Sequence, residues 1–163
     1  MTNSLQIEDH QDFQRRQWRA ERIGWLAMAL LIVAAVAGLL GGGGVLADAS
    51  SASADGRSRV EYQRFARKGS TTTLEIIAAS GERELRIRID ERYLSAMSLR
   101  SITPPPLATV LSERSYTFSF NRAPGAIDTR VKLHLEPDSA GSLEGAVAID
   151  DAAPLRIRHF IFP

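Results

Sequence analysis

The chain has 163 residues, of which 44% are hydrophobic and 24% charged, and its formal net charge at pH 7 is +1. This balance excludes a generally basic nucleic-acid binder and an acidic disordered chain. The sequence contains no cysteine, which excludes disulfide scaffolds, thiolate metal sites and thiol nucleophiles. Three histidines and three methionines are too few for a protein that stores metal.

The longest apolar segment begins at Ile23 and continues to Ala47 without a charged residue. At about 1.5 Å per residue, residues 23–40 of a helix would rise roughly 27 Å, close to the ~30 Å hydrocarbon core of a bilayer. The sequence therefore predicts a transmembrane helix over residues 23–46, preceded by a cytoplasmic tail over residues 1–22.

Basic and aromatic residues gather at the start of this segment, whereas the residues that follow it begin with Asp48. The positive-inside rule then predicts a single-pass protein of the cytoplasmic (inner) membrane, with its N-terminus inside and its C-terminal part periplasmic or extracellular. The residues expected to anchor the helix at the inner interface are Arg15, Arg16, Trp18, Arg19, Arg22 and Trp25.

Small residues recur every four positions within the apolar segment, at Ala34, Gly38 and Gly42. Such spacing lets a second helix approach closely, so it predicts a membrane-protein partner or a homodimer formed through the helix. The alternative to an uncleaved anchor is a signal peptide cleaved after Ala54. The apolar run is longer than the roughly 7–15 residues of a signal-peptide core, which favours the anchor.

Residues 47–58 are small and polar, which is typical of a flexible linker. Beyond them, residues 59–163 alternate between apolar and polar side chains, as in Leu85, Ile87 and Ile89. About seven strands in a domain of this length predict an immunoglobulin-like antiparallel β-sandwich. Turn-forming residues at 80–81 and 138–141 predict hairpins. The candidate strands are residues 60–65, 72–78, 82–90, 115–121, 130–136, 142–149 and 154–162.

Four arginines form the strongest candidate binding site. Arg86 and Arg88 share one face of a predicted strand, and Arg156 and Arg158 share one face of another. If these strands are neighbours, the four guanidinium groups form a patch, called here the arginine patch, that could bind an anionic headgroup or a glycan carboxylate. Acidic residues nearby in the sequence favour the simpler interpretation, a solvated face with cross-strand ion pairs.

The histidines lack the spacing of a known zinc site. His10 lies in the N-terminal tail, and strand alternation points His134 outward and His159 inward unless a bulge shifts the register. The sequence also lacks the G-x-S-x-G, S-x-x-K and H-E-x-x-H patterns. It therefore predicts a protein that is not an enzyme, with no catalytic residue, no metal or other cofactor, and no nucleic-acid partner.

Two short stretches carry a resemblance, RQWRAERIGW at Arg16–Trp25 and FIFP at Phe160–Pro163. With the overall layout, they resemble bacterial single-pass inner-membrane proteins that have a C-terminal β domain, similar to companions of YetF-like membrane proteins. The resemblance implies no activity. The expected function is a membrane-anchored, non-enzymatic accessory protein that presents its β-sandwich outside the membrane. The alternative is an envelope module that binds an anionic glycan or lipid headgroup.

Overall fold

The computed structural model describes residues 11–37, 47–79, 81, 84–112, 114–122, 125 and 127–163. Within these residues the chain forms two helices and eleven strands. In chain order the elements are α1 (Gln11–Val36), β1 (Asp48–Ala52), β2 (Ser58–Gln63), β3 (Phe65–Arg67), β4 (Thr72–Ala79), β5 (Glu84–Asp90), α2 (Glu91–Ser95), β6 (Met97–Thr103), β7 (Ala108–Ser112), β8 (Ser115–Asn121), β9 (Asp128–Pro137), β10 (Gly141–Ile149) and β11 (Leu155–Phe162).

The strands form two sheets that share one hydrophobic core. The five-stranded sheet has the order β1-β2-β4-β9-β6, and the six-stranded sheet has the order β3-β11-β10-β5-β8-β7. Alternation decides which side chains enter the core, because successive residues of a strand point to opposite faces. In β5, for example, Leu85, Ile87 and Ile89 are buried while the residues between them are exposed. Buried side chains from both sheets belong to one cluster.

The predicted transmembrane helix over residues 23–46 is wrong. Helix α1 begins at Gln11 and ends at Val36, so its first half carries charged residues. Its uncharged part, residues 23–36, rises about 21 Å, which is short of a bilayer core of ~30 Å. Among the residues that the structure describes, no helix is both long and apolar enough to span a membrane. Residues 38–46 of the predicted span lie outside the described residues.

The predicted fold class also needs correction in its strand count and pairing. The described residues form eleven strands rather than about seven, and β11 pairs in parallel with β3, so the sandwich is not purely antiparallel. Strand β1 lies within residues 47–58, for which composition predicts a flexible linker. It pairs with β2 from Asp48 to Ala52. An edge strand gains its order from backbone pairing, so it needs little apolar surface and resembles a linker in composition.

Short helix α2 connects β5 to β6 and buries the side chain of Tyr93. Gly145 of β10 allows this packing, because a Cβ atom at that position would lie 2.5 Å from Tyr93 Cδ2. The connection from β6 to β7 contains a cis peptide bond between Thr103 and Pro104. Helix α2 therefore packs against the six-stranded sheet at Gly145, the position where β10 has no side chain.

Candidate functional site

The arginine patch lies on the outer face of the six-stranded sheet. Its members, Arg86 and Arg88 on β5 and Arg156 and Arg158 on β11, are all exposed. The two strands are not neighbours, however, because β10 lies between them and pairs with both. The arginines therefore occupy two rows that are separated by the width of one strand.

The separating strand gives this surface its shape. Arg88 lies opposite Ala148, and Arg156 lies opposite Ala146 on the other side of β10. With strands ~4.8 Å apart and a rise of ~3.3 Å per residue, the Cα atoms of Arg88 and Arg156 are about 12 Å apart. The methyl groups of Ala146 and Ala148 thus form a low surface, called here the floor, between the two long arginine side chains.

The other two members of the patch have different surroundings. Arg158 forms an ion pair with Glu144 of β10, with 2.5 Å between Nη2 and Oε1. Both groups are exposed, so this pair stabilises the fold little but reduces the positive charge near Arg158. Arg86 lies at the end of the sheet and lines a neighbouring cleft. The patch that the sequence predicts is therefore reduced to Arg88 and Arg156, with Arg86 at its border.

An aromatic cluster lies on the same outer face. Phe160 follows Arg156 and Arg158 along β11 and is 47% exposed, so it adds aromatic surface to this face. Its ring lies edge-on to that of Phe162, with 5.0 Å between centroids, and Phe162 in turn contacts Phe65 of β3. The outer face of this sheet therefore combines guanidinium groups with exposed aromatic surface, a combination that is enriched in binding surfaces.

A cleft of about 390 Å³ lies beside Arg86 at one end of the sandwich. Both signs of charge line it, so its charge does not select for anions. Near its mouth, a hydrogen bond from the Ser53 hydroxyl, together with the Arg57 backbone N–H, lowers the pKa of the Asp55 carboxyl. Its charged lining residues are Asp55, Arg57, Glu84, Arg86, Arg122, Asp150 and Asp151.

An ion pair that the sequence does not reveal lines this cleft. Arg122 Nη2 lies 2.6 Å from Asp150 Oδ2, and the Arg122 side chain is only 8% exposed. Asp150 also accepts a hydrogen bond from the Arg86 backbone N–H and adopts a left-handed φ of 52°. A Cβ atom at Gly81 would lie 2.5 Å from Arg122 Nη1, so a larger residue there would require the guanidinium to shift. The arrangement joins the end of β8 to the end of β10.

His159 points inward, as strand alternation predicts, and is 1% exposed. Its Nδ1 lies 2.7 Å from the carbonyl oxygen of Gln63, and its Nε2 lies 2.9 Å from the hydroxyl of Tyr93. Burial lowers the pKa of His159 and raises the pKa of Tyr93, so both are neutral. A neutral ring with Nδ1–H donating to Gln63 leaves Nε2 to accept from Tyr93. This is a satisfied buried pair within the core.

The other two histidines are not part of the pair formed by Tyr93 and His159. His134, predicted to point outward, is half-buried on β9, with 3.3 Å between its Nδ1 and Thr73 Oγ1. His10 lies outside the described residues. Within the ranges that the structure describes, no three His, Asp or Glu side chains are grouped so that they could hold a metal ion.

The residues predicted to act through a membrane helix lie on α1 or beyond it. Ala34 is half-buried on α1, whereas Gly38 and Gly42 lie outside the described residues. The expected anchors Arg16, Trp18, Arg19, Arg22 and Trp25 are exposed on α1, and Arg15 belongs to the same helix. The guanidinium of Arg22 lies 3.8 Å from the ring centroid of Trp18, which is a cation–π contact.

The chain was compared with known protein families and with curated protein sequences, and it matches none of them.

Proposed function

We propose that this protein is a non-enzymatic interaction protein, and that the outer face of its six-stranded sheet binds an anionic lipid headgroup. The observation that carries the proposal is the placement of Arg88 and Arg156 on either side of Ala146 and Ala148. A guanidinium group presents a planar fork of donors that matches phosphate and carboxylate oxygens. Two such groups above a floor of methyl side chains leave room for one anionic group between them.

The charges on this face support an anionic ligand rather than a cationic one. On β5, β10 and β11, the exposed charged residues of the outer face are four arginines and three carboxylates. Glu144 is already paired with Arg158. Of the remaining carboxylates, Glu84 lies at the end of β5 and Asp90 precedes α2. The surface between Arg88 and Arg156 therefore keeps a net positive charge.

The aromatic cluster favours a lipid over a glycan as the source of the anion. Phe160 is half-exposed on the same face, and its ring lies against that of Phe162. An aromatic side chain beside a basic residue suits the boundary between headgroups and acyl chains. The expectations that the protein has no catalytic site, no cofactor and no nucleic-acid partner stay predictions.

Cosedimentation with lipid vesicles tests the proposal. The full chain is mixed with vesicles of phosphatidylcholine alone or with added phosphatidylglycerol. We expect binding that depends on phosphatidylglycerol. Each basic residue near such a surface contributes ~1 kcal/mol, so removing two weakens binding about thirtyfold. The double variant Arg88→Glu/Arg156→Glu also adds two negative charges and should bind more weakly still. A soluble polyuronate is tested in parallel, and binding to it without binding to vesicles would favour the glycan.

A matched control separates the site from net charge. Arg59 and Arg130 are exposed on the outer face of the five-stranded sheet, where they pair with Glu61 and Glu75. The double variant Arg59→Glu/Arg130→Glu changes the net charge by the same amount. Equal loss of binding in both double variants would reduce the effect to overall charge and contradict the proposed site.

A further inference from the structure

The outermost strands of the two described sheets are β1, β6, β3 and β7. An edge strand presents unpaired backbone N–H and C=O groups, to which a strand of another chain can bind. Proteins normally protect such edges with charged side chains, bulges, prolines or very short strands. These four strands differ in whether they have such protective features.

Three of them are protected. Strand β1 begins with Asp48, and β3 has three residues, the last of which is Arg67. Strand β6 contains Arg100, and its register with β9 shifts between Leu99 and Ser101. Each of these features makes pairing with a further strand unfavourable.

Strand β7 has none of these features. Its five residues, Ala108–Ser112, include no charge and no proline, and it pairs with β8 without a shift in register. All five residues are exposed. Val110 is 55% exposed and Leu111 58%, and Leu107, immediately before the strand, is 66% exposed. A regular, uncharged and partly apolar edge of this kind is suited to pairing with another strand.

We propose that β7 pairs in antiparallel fashion with β7 of a second copy of this chain, about a two-fold axis perpendicular to the sheet. In the register that we assign, Thr109 lies opposite Thr109 of the second copy. Leu107 then lies opposite Leu111, and Ala108 lies opposite Val110, and the symmetry repeats each pair. The two six-stranded sheets become one continuous sheet.

The sequence of this edge selects both the occupant and the register. Cross-strand apolar pairs stabilise a sheet, and the Thr109 register matches every large apolar side chain of the edge with an apolar residue. Pairing Val110 with itself would place Leu107 beyond Ser112, the end of the opposite strand. Pairing Ala108 with itself would place Leu111 opposite Pro105, which has no N–H to donate. Of these three registers, the one centred on Thr109 is therefore the most favourable.

Cysteine crosslinking tests the register directly, because the chain has no cysteine of its own. Directly opposed Cα atoms lie about 4.5–5.5 Å apart, within the range that a disulfide spans. The variant Thr109→Cys should therefore form a covalent dimer on mild oxidation. In Val110→Cys the two Cα atoms would be about 8 Å apart, beyond that range, so this variant should crosslink far more slowly. Ser50→Cys on edge strand β1 gives the background rate.

Sedimentation equilibrium of the full chain is the second test of the proposed dimer. We expect a dimer whose dissociation constant rises on the order of a hundredfold in Leu111→Lys, because the two-fold axis places two lysines against leucines. Ile127→Lys is the control, since Ile127 is 84% exposed but lies outside β7. Circular dichroism confirms that both variants are folded.

Three outcomes would overturn the proposal. They are a monomeric wild-type chain at all concentrations, a dimer that persists in Leu111→Lys, and a crosslinking rate of Thr109→Cys no higher than that of Ser50→Cys. The proposal does not rest on lipid binding, because neither Arg88 nor Arg156 belongs to β7. Each can fail without the other.

Discussion

Replacing Tyr93 by phenylalanine removes one oxygen atom from the centre of the core. Tyr93 is fully buried and its hydroxyl donates to Nε2 of His159, at 2.9 Å. In Tyr93→Phe that nitrogen stays buried without a donor, which costs about 1–3 kcal/mol. A loss of about 2 kcal/mol lowers the Tm by roughly 5–10 °C for a domain of this size.

His159, the hydrogen-bond partner of Tyr93, makes the stability of the fold depend on pH. Burial lowers the pKa of His159 in the folded protein, so the unfolded chain takes up a proton near pH 6.5 that the folded chain does not. The free energy of unfolding therefore falls as the pH drops below about 6.5 and continues to fall to the folded pKa. The lowered pKa of His159 comes from burial, which Tyr93→Phe leaves in place, so the same fall should persist in the variant.

Urea denaturation at about pH 7.5 and about pH 5.5 measures both effects, because these values lie on either side of the unfolded histidine pKa. The control is Tyr116→Phe, whose ring is half-buried against Phe118. If Tyr93→Phe were as stable as this control at both values, the hydrogen bond between Tyr93 and His159 would not stabilise the fold, and the reasoning would be refuted.

Three further predictions concern the packing and charges of the same domain. Gly145→Ala should lower the free energy of unfolding by about 1–3 kcal/mol, because the added Cβ would lie 2.5 Å from Tyr93 Cδ2; urea denaturation measures this, and an unchanged midpoint would contradict it. Asp150→Ala should destabilise by about 1–3 kcal/mol, since it removes the carboxylate that accepts from Arg122 and from the Arg86 backbone N–H; a Tm equal to that of wild type would show that these contacts contribute nothing. His159→Phe should remove most of the acid-induced loss of stability between about pH 7 and pH 5, and a loss as steep as in wild type would assign it to other groups.

Alternation in the sequence predicts which residues enter the core, but not which strands are neighbours. Leu85, Ile87 and Ile89 are buried as their spacing predicts. The turns at 80–81 and 138–141, predicted as hairpins, instead connect strands of different sheets. A turn-forming sequence shows where a strand ends and does not show which sheet receives the next one. For that reason the sequence could not show that β10 separates the two pairs of arginines.

The segments at the two ends of the predicted span show that composition alone does not predict where a helix or strand begins and ends. An apolar run shows where charged residues are absent but not where a helix ends, and α1 ends at Val36, before the end of the predicted span at residue 46. Strand β1, with the sequence DASSA, has almost no apolar surface because it is an exposed edge. For β1, backbone pairing with β2 rather than side-chain hydrophobicity decides where the strand lies.

The polar contacts within the domain depend on long-range geometry. Arg122 and Asp150 are separated by 28 positions, and Tyr93 and His159 by 66. A single arginine after a strand carries no pattern that would indicate its partner. For His159, in contrast, strand alternation gives a usable signal, because a histidine on the buried face of a strand needs a hydrogen-bond partner there.

The most direct test of the proposed binding surface is an NMR titration of the ¹⁵N-labelled full chain with a soluble short-chain phosphatidylglycerol. We predict that the largest changes in amide chemical shift fall on Ala146 and Ala148 and on the neighbouring Arg88 and Arg156. The same lipid with a phosphatidylcholine headgroup should leave these signals unchanged. Changes centred on the cleft that Arg122 and Asp150 line, or no saturable change at all, would contradict the account.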